Sequence, residues 1–196
     1  MSSIYQFLLR GKYKGKSANY KDKLYIYKRD VLVGRTDRCY TGITRRRTIM
    51  IYTALTKKAM KVAYEAHHGQ TDRSGVPYIF HPVHVAEQMD DEISTCVALL
   101  HDVVEDTEIT FEDLSGEFPE EVIEALRFLT RDKSVNYFEY IRILRKNPIA
   151  RKVKEADIRH NSDISRLENC DDVSGEQITR LRGRYARALE VLHEPV

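Results

Sequence analysis

From residue 55 onward, apolar positions recur at the three- and four-residue spacing of an amphipathic α-helix. Leu55, Ala59 and Val62 begin the first stripe, and Gly69 follows it as a candidate helix end. The same spacing predicts further helices at 93–104, 119–129, 137–144, 148–161 and 174–192. Strand-like alternation is absent from the sequence after residue 50, so this part of the chain is predicted to fold as an all-α helical bundle.

Capping residues indicate where several of these helices begin. Thr110 is a candidate N-cap, and Asn147 with Pro148 combines a cap with a proline at the first helical position. Pro82 is predicted to begin another helix, with His81 directly before it. We expect the first turn of that helix to offer unpaired N–H groups to an anion.

Residues 1–50 differ in composition from the rest of the chain. They hold 13 Lys and Arg against 3 Asp and Glu, a balance of +10, whereas residues 51–196 have a balance of −8. The asymmetry predicts a basic extension over 1–50, of β or irregular structure, and a helical domain over 51–196. The first segment also carries 7 of the 18 aromatic residues, so it could be an arm that binds nucleic acid. The alternatives are a flexible basic extension and sequence that lies upstream of a true start at Met50. These two alternatives are favoured because no nucleic-acid-binding motif is present.

Composition excludes several classes of protein. No apolar run approaches the roughly 18 residues of a membrane span, so no membrane association is expected. The 3 cysteines lie far apart without a CxxC pair, which argues against a disulfide scaffold and a thiolate zinc site and fits a reducing cytoplasm.

The most informative stretch is His101-Asp102-Val-Val-Glu105-Asp106, which continues an apolar stripe. If the helix runs through it, His101 and Glu105 share one side, as do Asp102 and Asp106. Burying a carboxylate without a partner costs several kcal/mol or shifts its pKa, and a divalent cation removes that problem. The alternative is a helix end that runs into solvent.

Asp157 falls near the core-facing side of the predicted 148–161 helix, with Asn161 one turn later. An inward carboxylate again suggests a cation. The alternative is a salt bridge to Lys154 or Arg159, but we expect both of these side chains to project elsewhere on the helix.

His81, placed before a proline, can be held rigidly by the fixed turn, although a capping or packing role is the alternative. Together with His101, Asp102 and Asp157 it makes a set of two nitrogen and two oxygen donors. Such a set suits Mn, Fe, Zn or Mg and leaves positions for water and substrate. The remaining candidates are weaker: His67 is expected to be packed and hydrogen-bonded, His68 and His84 to be solvated, and His160 to be a weak metal candidate.

Four ordered motifs resemble the hydrolase domain of RelA/SpoT-type alarmone enzymes, within the HD-domain superfamily. The motifs are Ala66–Gln70, Ser74–Pro82, Ala98–Thr107 and Lys154–Asn161. Their ordered combination is specific, whereas a His-Asp pair alone is not. Because the chain ends before the synthetase and regulatory domains of long members would fit, it resembles the stand-alone small alarmone hydrolases.

The resemblance implies an HD-domain bundle that hydrolyses (p)ppGpp, the nucleotide of the stringent response, at its 3′-pyrophosphate to GDP or GTP and pyrophosphate. Manganese, one ion per chain, is the implied cofactor. The implied metal ligands are His81, His101, Asp102 and Asp157. Glu105 and Asp106 match the pair that orients and activates water. Residues matching the nucleotide pocket are Arg73, Ser74, Tyr78, Asn161 and Tyr185.

Asp72 departs from the family pattern, because it stands where a basic residue often precedes the Ser-Gly element. A carboxylate there leaves the exact nucleotide open, and removal of the 2′-phosphate of NADPH by a related HD enzyme is an alternative reaction. A different class of function, binding of nucleic acid or a partner through residues 1–50, also remains open. The sequence does not set the oligomeric state.

Overall fold

The computed structural model describes residues 50–163 and 174–195. Over these residues the chain forms nine helices: α1 (Ala54–Ala66), α2 (Phe80–Ala86), α3 (Glu92–Leu100), α4 (Val103–Asp106), α5 (Phe111–Ser115), α6 (Glu120–Leu129), α7 (Tyr137–Leu144), α8 (Pro148–Ser162) and α9 (Gly175–His193). The β pairing in this part of the chain is one isolated bridge between Thr71 and Pro77. The all-α prediction is confirmed. The prediction for the basic extension falls on residues outside those described, and the domain boundary at residue 50 stays a prediction.

Helix α3 lies at the centre of the bundle. Its residues Ser94–Leu100 are all buried, and α1, α2, α6 and α8 pack against it. A helix with apolar residues on every side is stable only when it is surrounded in this way. Burial of Leu99 and Leu100 stabilises the folded state by about 2 kcal/mol each, so the C-terminal end of α3 is held firmly in the core.

The predicted N-caps at Thr110 and Asn147 are confirmed. Thr110 accepts a hydrogen bond from the Asp113 N–H, and Ser174, not predicted as a cap, makes the corresponding capping box at α9. Asn147 Oδ1 accepts from the N–H groups of Ile149 and Ala150, at 3.0 and 2.9 Å. Each cap contributes about 1 kcal/mol by satisfying N–H groups that have no helical partner.

Helices α7 and α9 are joined through a half-buried arginine. Arg145 Nη1 donates to the carbonyl oxygens of Val191 and Glu194, at 3.2 and 2.8 Å. These carbonyls lie at the C-terminus of α9, where carbonyl groups have no helical N–H partners.

Among the described helices, none combines the length and the hydropathy that crossing a bilayer demands.

Helix α2 begins at Phe80, not at Pro82 as predicted. The reason is a tight turn before it, in which the Phe80 N–H donates to Pro77 O and the His81 N–H to Tyr78 O. Pro82 has no N–H at all. The expected unpaired N–H groups for an anion are therefore not present in this turn, and that prediction is wrong.

The helix predicted over 93–104 is interrupted. Helix α3 ends at Leu100 and α4 begins at Val103, with His101 and Asp102 in a turn between them. Asp102 has φ −102° and ψ −4°, a departure from helical values that redirects the chain. The continuous helix assumed for His101 to Asp106 is therefore wrong at the residues that carry the chemistry.

Candidate metal centre and reaction site

Four side chains from separate elements converge inside the bundle: His81 from α2, His101 and Asp102 from the turn after α3, and Asp157 from α8. His81 Nε2 lies 3.2 Å from both His101 Nε2 and Asp157 Oδ1, and 3.5 Å from Asp102 Oδ2. His101 Nε2 lies 3.1 Å from Asp102 Oδ2 and 3.9 Å from Asp157 Oδ1. The structure thus brings together the four residues that the sequence singled out as ligands.

The interrupted helix explains how neighbouring residues can serve one site. Successive side chains of an α-helix point about 100° apart around its axis. His101 keeps helical values, with φ −60° and ψ −30°, whereas Asp102 is displaced from them, and the donor atoms of the two residues lie 3.1 Å apart.

Hydrogen bonds on the outer side of each imidazole orient its inner nitrogen. His101 Nδ1 lies 2.8 Å from the carbonyl oxygen of Ala98, which can only accept, so Nδ1 carries a proton and Nε2 is the nitrogen left to bind a metal ion. His81 Nδ1 lies 2.8 Å from His160 Nδ1, and the ring of His160 contacts that of His84 at 4.5 Å between centroids, with the two planes tilted by 40°. His84 was expected to be solvated, but it is half-buried beside His160.

Asp157 is held by both of its oxygens. Oδ1 accepts from Asn161 Nδ2 at 2.6 Å, while Oδ2 pairs with Lys154 Nζ at 2.8 Å. Burial raises the pKa of Asp157, but the Lys154 charge and the hydrogen bond from His81 outweigh it, and the pKa is held well below its usual range. The expectation that Lys154 projects elsewhere is wrong. Its position three residues before Asp157 was the available signal, since such residues are neighbours on a helix.

Asp102 is also bound by Tyr78, whose hydroxyl donates at 2.5 Å to Oδ2, the oxygen that faces His81 and His101. Burial raises the pKa of Asp102, but the charges and hydrogen bonds of His101 and His81 lower it well below its usual range. Burial and the Asp102 carboxylate raise the pKa of Tyr78, so the phenol stays a donor. Burial lowers the pKa of His81, yet its bonds to the two aspartates dominate and raise it to about 9.

These residues fit a divalent metal ion. Ligand atoms at about 2.1 Å from one ion lie roughly 3 to 3.5 Å from each other, close to the separations found between the four donor atoms. The ligand atoms of His81, His101 and Asp157 all lie within 4.8 Å of one another, and these three residues are buried. Two imidazole nitrogens and two carboxylate oxygens, each oriented by an outer hydrogen bond, suit Mn, Fe or Zn.

The two acids predicted to act on water lie in α4, directly after the donor pair. Glu105 is half-buried, and its Oε2 accepts from the Arg131 N–H at 3.3 Å. Asp106 is exposed at the end of α4, and its own N–H donates to Asp102 O at 2.9 Å. Burial and the nearby Asp102 charge raise the pKa of the Asp106 carboxyl. Their roles in catalysis stay predictions.

The departure at Asp72 has a structural explanation. Asp72 Oδ1 accepts hydrogen bonds from Ser74 N, Ser74 Oγ and Val76 N, at 2.9, 2.6 and 3.0 Å. These bonds close a tight turn in which Gly75 has φ +74°, a conformation that favours glycine. Ser74 therefore contacts Asp72, and Arg73 is exposed on the same turn.

A cationic cluster that sequence reasoning missed surrounds the Tyr137 ring. Arg184 and Arg131 lie with their guanidinium carbons 4.1 and 5.6 Å from the ring centroid. Burial raises the pKa of Tyr137, and the charges of Lys154 and Arg184 oppose that rise. Lys154 Nζ lies 5.8 Å from the centroid of the neighbouring Tyr140 ring. We call Arg131, Tyr137, Lys154 and Arg184 the Tyr137 cluster. Tyr185, a predicted pocket residue, is half-buried next to Arg184 on α9.

Comparison with known proteins places this site in context. A model of the HD domain family matches residues 59–181. The chain is 54% identical over 65 residues to a putative GTP diphosphokinase RSH1, chloroplastic, of Oryza sativa subsp. japonica, which is 31% of this chain and 7% of that protein. It is 43% identical over 79 residues to the bifunctional (p)ppGpp synthase/hydrolase SpoT of Escherichia coli, which is 38% of this chain and 11% of that protein. The chain thus aligns with only about a tenth of the length of these relatives.

The fold has a solved counterpart, described as "A metazoan ortholog of SpoT hydrolyzes ppGpp and plays a role in starvation responses". The two share a TM-score of 0.64 and 25% identity, over 74% of this chain and 88% of that chain. The fold expected from the four motifs is confirmed. Because the HD domain model spans more than half of the sequence, the chain belongs to the HD-domain family, and it is similar to SpoT-type proteins in sequence and in fold.

Proposed function

We propose that this chain is a metal-dependent phosphohydrolase that cleaves the 3′-pyrophosphate from (p)ppGpp, giving GDP or GTP and pyrophosphate. The observation that carries the proposal is the convergence of His81, His101, Asp102 and Asp157 on one point. Relatives named for (p)ppGpp hydrolysis support the choice of substrate.

The four converging residues are the proposed metal ligands. When bound, a divalent ion, manganese in our proposal, withdraws charge from a phosphoryl oxygen and lowers the pKa of water. Tyr78, Lys154 and Asn161 act on the ligands and not on the substrate, because their side chains bind the carboxylates of Asp102 and Asp157. Tyr78 and Asn161 were predicted to shape the nucleotide pocket, and we now propose this supporting role for both.

Glu105 and Asp106 are the proposed acid–base pair. The water oxygen forms a bond to the 3′-linked phosphorus, and the bond from that phosphorus to the 3′-oxygen breaks. Glu105 takes the proton of the water, and Asp106 supplies one to the departing 3′-oxygen. The raised pKa of Asp106 suits a proton donor.

A polyanionic substrate needs local positive charge, because residues 51–196 carry a net charge of −8. The Tyr137 cluster supplies two cations that are not committed to a metal ligand, Arg131 and Arg184, and Arg131 is linked by its backbone to Glu105. Arg73 adds an exposed guanidinium on the turn closed by Asp72. Since Asp72 accepts three hydrogen bonds within that turn, its carboxylate has a structural role that does not require a different substrate.

Three further expectations accompany this function. We propose that the enzyme works in a reducing cytoplasm, which agrees with the buried free thiol of Cys96. Residues 1–50 are proposed to form a separate basic module. Tyr185, on α9 beside the Tyr137 cluster, is proposed to contact the nucleotide.

The test is a nucleotide panel with a matched pair of variants. The parent protein with Mn²⁺ is given ppGpp, pppGpp, NADPH and dNTPs, and released phosphate and pyrophosphate are measured separately. We expect pyrophosphate from the first two nucleotides. Glu105→Gln is expected to bind Mn²⁺ normally and lose about 100-fold or more in turnover, as is typical when a proton-transfer group is removed. Glu121→Gln, an exposed acid on α6, serves as the control. Phosphate from NADPH without pyrophosphate from ppGpp would refute the proposed substrate.

A further inference from the structure

We propose that His67 and Gln70 form a hydrogen-bonded link that positions Asp106, and that turnover depends on this link while metal binding does not. Neither residue belongs to the metal cluster or to the acid–base pair. The inference rests on the proposed function, because it assigns Asp106 a part in the reaction.

Helix α4 requires an outside support. It spans only Val103–Asp106, and a single helical turn is unstable by itself. Its last carbonyl groups have no helical partners. Thr107 Oγ1 donates to Val103 O at 2.6 Å, and Gln70 Nε2 donates to Asp106 O at 3.2 Å. Of these two bonds, the one from Gln70 comes from a distant part of the chain and ties the end of α4 to the segment after α1.

The donor and acceptor roles along the link follow from its last acceptor, the carbonyl oxygen of Asp106. A backbone carbonyl can only accept, so the NH₂ group of Gln70 faces Asp106 and its Oε1 faces His67. His67 Nδ1 lies 2.8 Å from that oxygen and must therefore carry the proton. The resulting chain runs in one direction, with His67 Nδ1–H donating to Gln70 and Gln70 donating to Asp106.

His67 is well placed to hold Gln70 still. Its side chain is buried, and its backbone N–H donates to Ala63 O at 3.0 Å as the C-cap of α1. Its ring lies 4.9 Å from the ring of Tyr78, which binds Asp102. Within the described part of the chain His67 Nε2 has no hydrogen-bond partner, so the bond to Gln70 is the polar side-chain contact that orients this ring.

The far end of the link borders an open cleft. Gln70 and Asp106 both line an open cleft of about 420 Å³. A shift of about 1 Å in a group that contacts the reacting atoms can lower a rate about 100-fold. Loss of the link is therefore expected to lower kcat, because Asp106 would leave its working position while the donor atoms around His101 stay in place.

The experiment uses substitutions that move one donor. Asparagine places its side-chain NH₂ near the position of imidazole Nδ1, and glutamine places it near Nε2. We expect His67→Asn to keep kcat within about threefold, and His67→Gln and Gln70→Met to lower kcat about 10- to 100-fold. The KM and the Kd for Mn²⁺ should change by no more than about twofold in all three. His68→Gln, an exposed neighbour, is the control and should match the parent.

Two results would overturn the proposal: a parental kcat in both His67→Gln and Gln70→Met, or a loss of Mn²⁺ affinity as large as the loss of kcat. Imidazole ¹⁵N NMR of the parent gives a readout independent of turnover, since it must show the His67 proton on Nδ1. If the parent hydrolyses no nucleotide, the proposed function fails separately. In that case hydrogen exchange at the Asp106 amide tests the link. Gln70→Met must accelerate this exchange if the link holds α4 in place, and an unchanged exchange rate would refute the link.

Discussion

Lys154→Met tests how the carboxylates of the site are stabilised without a metal. Lys154 Nζ lies 2.8 Å from Asp157 Oδ2, and the two side chains are 16% and 7% exposed. Coulomb attraction at this distance amounts to about 6 kcal/mol at an effective dielectric constant of about 20. Desolvation offsets part of it, and removing one partner of a buried ion pair typically costs about 3 to 5 kcal/mol. We expect the metal-free free energy of unfolding to fall by about 3 kcal/mol.

A bound divalent ion changes the expected result, because it gives Asp157 a second positive partner. The destabilisation should therefore be smaller when Mn²⁺ saturates the protein. By linkage, each 1.4 kcal/mol or so of recovered stability corresponds to about tenfold tighter Mn²⁺ binding by the variant. Lys154→Met should thus be less stable than the parent and yet bind the ion more tightly, since a competing cation has been removed.

The assay is urea unfolding in EDTA and in saturating Mn²⁺, with the Kd measured by calorimetry. The control is Lys152→Met on the same helix, because Lys152 pairs with Asp90 and with Asp91 at the surface. Exposed pairs contribute about 0 to 1 kcal/mol, so this variant should change little. Equal metal-free stability of the two variants, or weaker Mn²⁺ binding by Lys154→Met, would refute the reasoning.

Three further predictions follow from individual contacts. Tyr78→Phe removes the hydroxyl that binds Asp102 and should raise the Kd for Mn²⁺ about tenfold or more by calorimetry; an unchanged Kd would show that this bond does not orient the carboxylate. Gly75→Ala forces a side chain onto a residue with φ +74° and should lower the free energy of unfolding by about 1 kcal/mol in urea, whereas a parental value would contradict the strain argument. In the metal-free protein the pKa of His81 is raised from 6.5 to about 9, so the stability gained from its charged form is complete below pH 6.5 and lost as the pH rises through 9. A metal ion binds only the neutral imidazole, so Mn²⁺ binding at neutral pH should release about one proton from His81. The binding enthalpy measured by calorimetry should then vary with the ionisation enthalpy of the buffer, and the same enthalpy in every buffer would exclude proton release.

Local signals in the sequence were sufficient for most of the helices. Asn147-Pro148 and Thr110 cap helices because their effect depends on neighbours within three residues, all visible in the sequence. The start of α2 was placed two residues late because the turn at Pro77 makes hydrogen bonds that extend the helix backward. A proline at the third helical position is tolerated for the same reason as at the first, since N–H groups there lack helical acceptors.

The metal donors could be predicted because a polar residue inside an apolar stripe requires an explanation, as at His101 and Asp157. Lys154 was misjudged because lysine is seldom buried, although its spacing from Asp157 permitted the pair. Contacts between distant segments carried no sequence signal. The bond of Gln70 to Asp106 and that of His81 to His160 join residues 36 and 79 positions apart.

The turn that separates α3 from α4 restricts how this site could be transferred to another protein. A designer who copied only the His-Asp dipeptide into an uninterrupted helix would obtain two side chains that leave the helix about 100° apart, without the turn at Asp102 that accompanies their convergence here. A working graft has to include the buried helix that ends at Leu100, the kink at Asp102 and the short helix that restarts at Val103. What has to be transferred is therefore the backbone conformation of this segment together with His101 and Asp102, and the dipeptide alone is not sufficient.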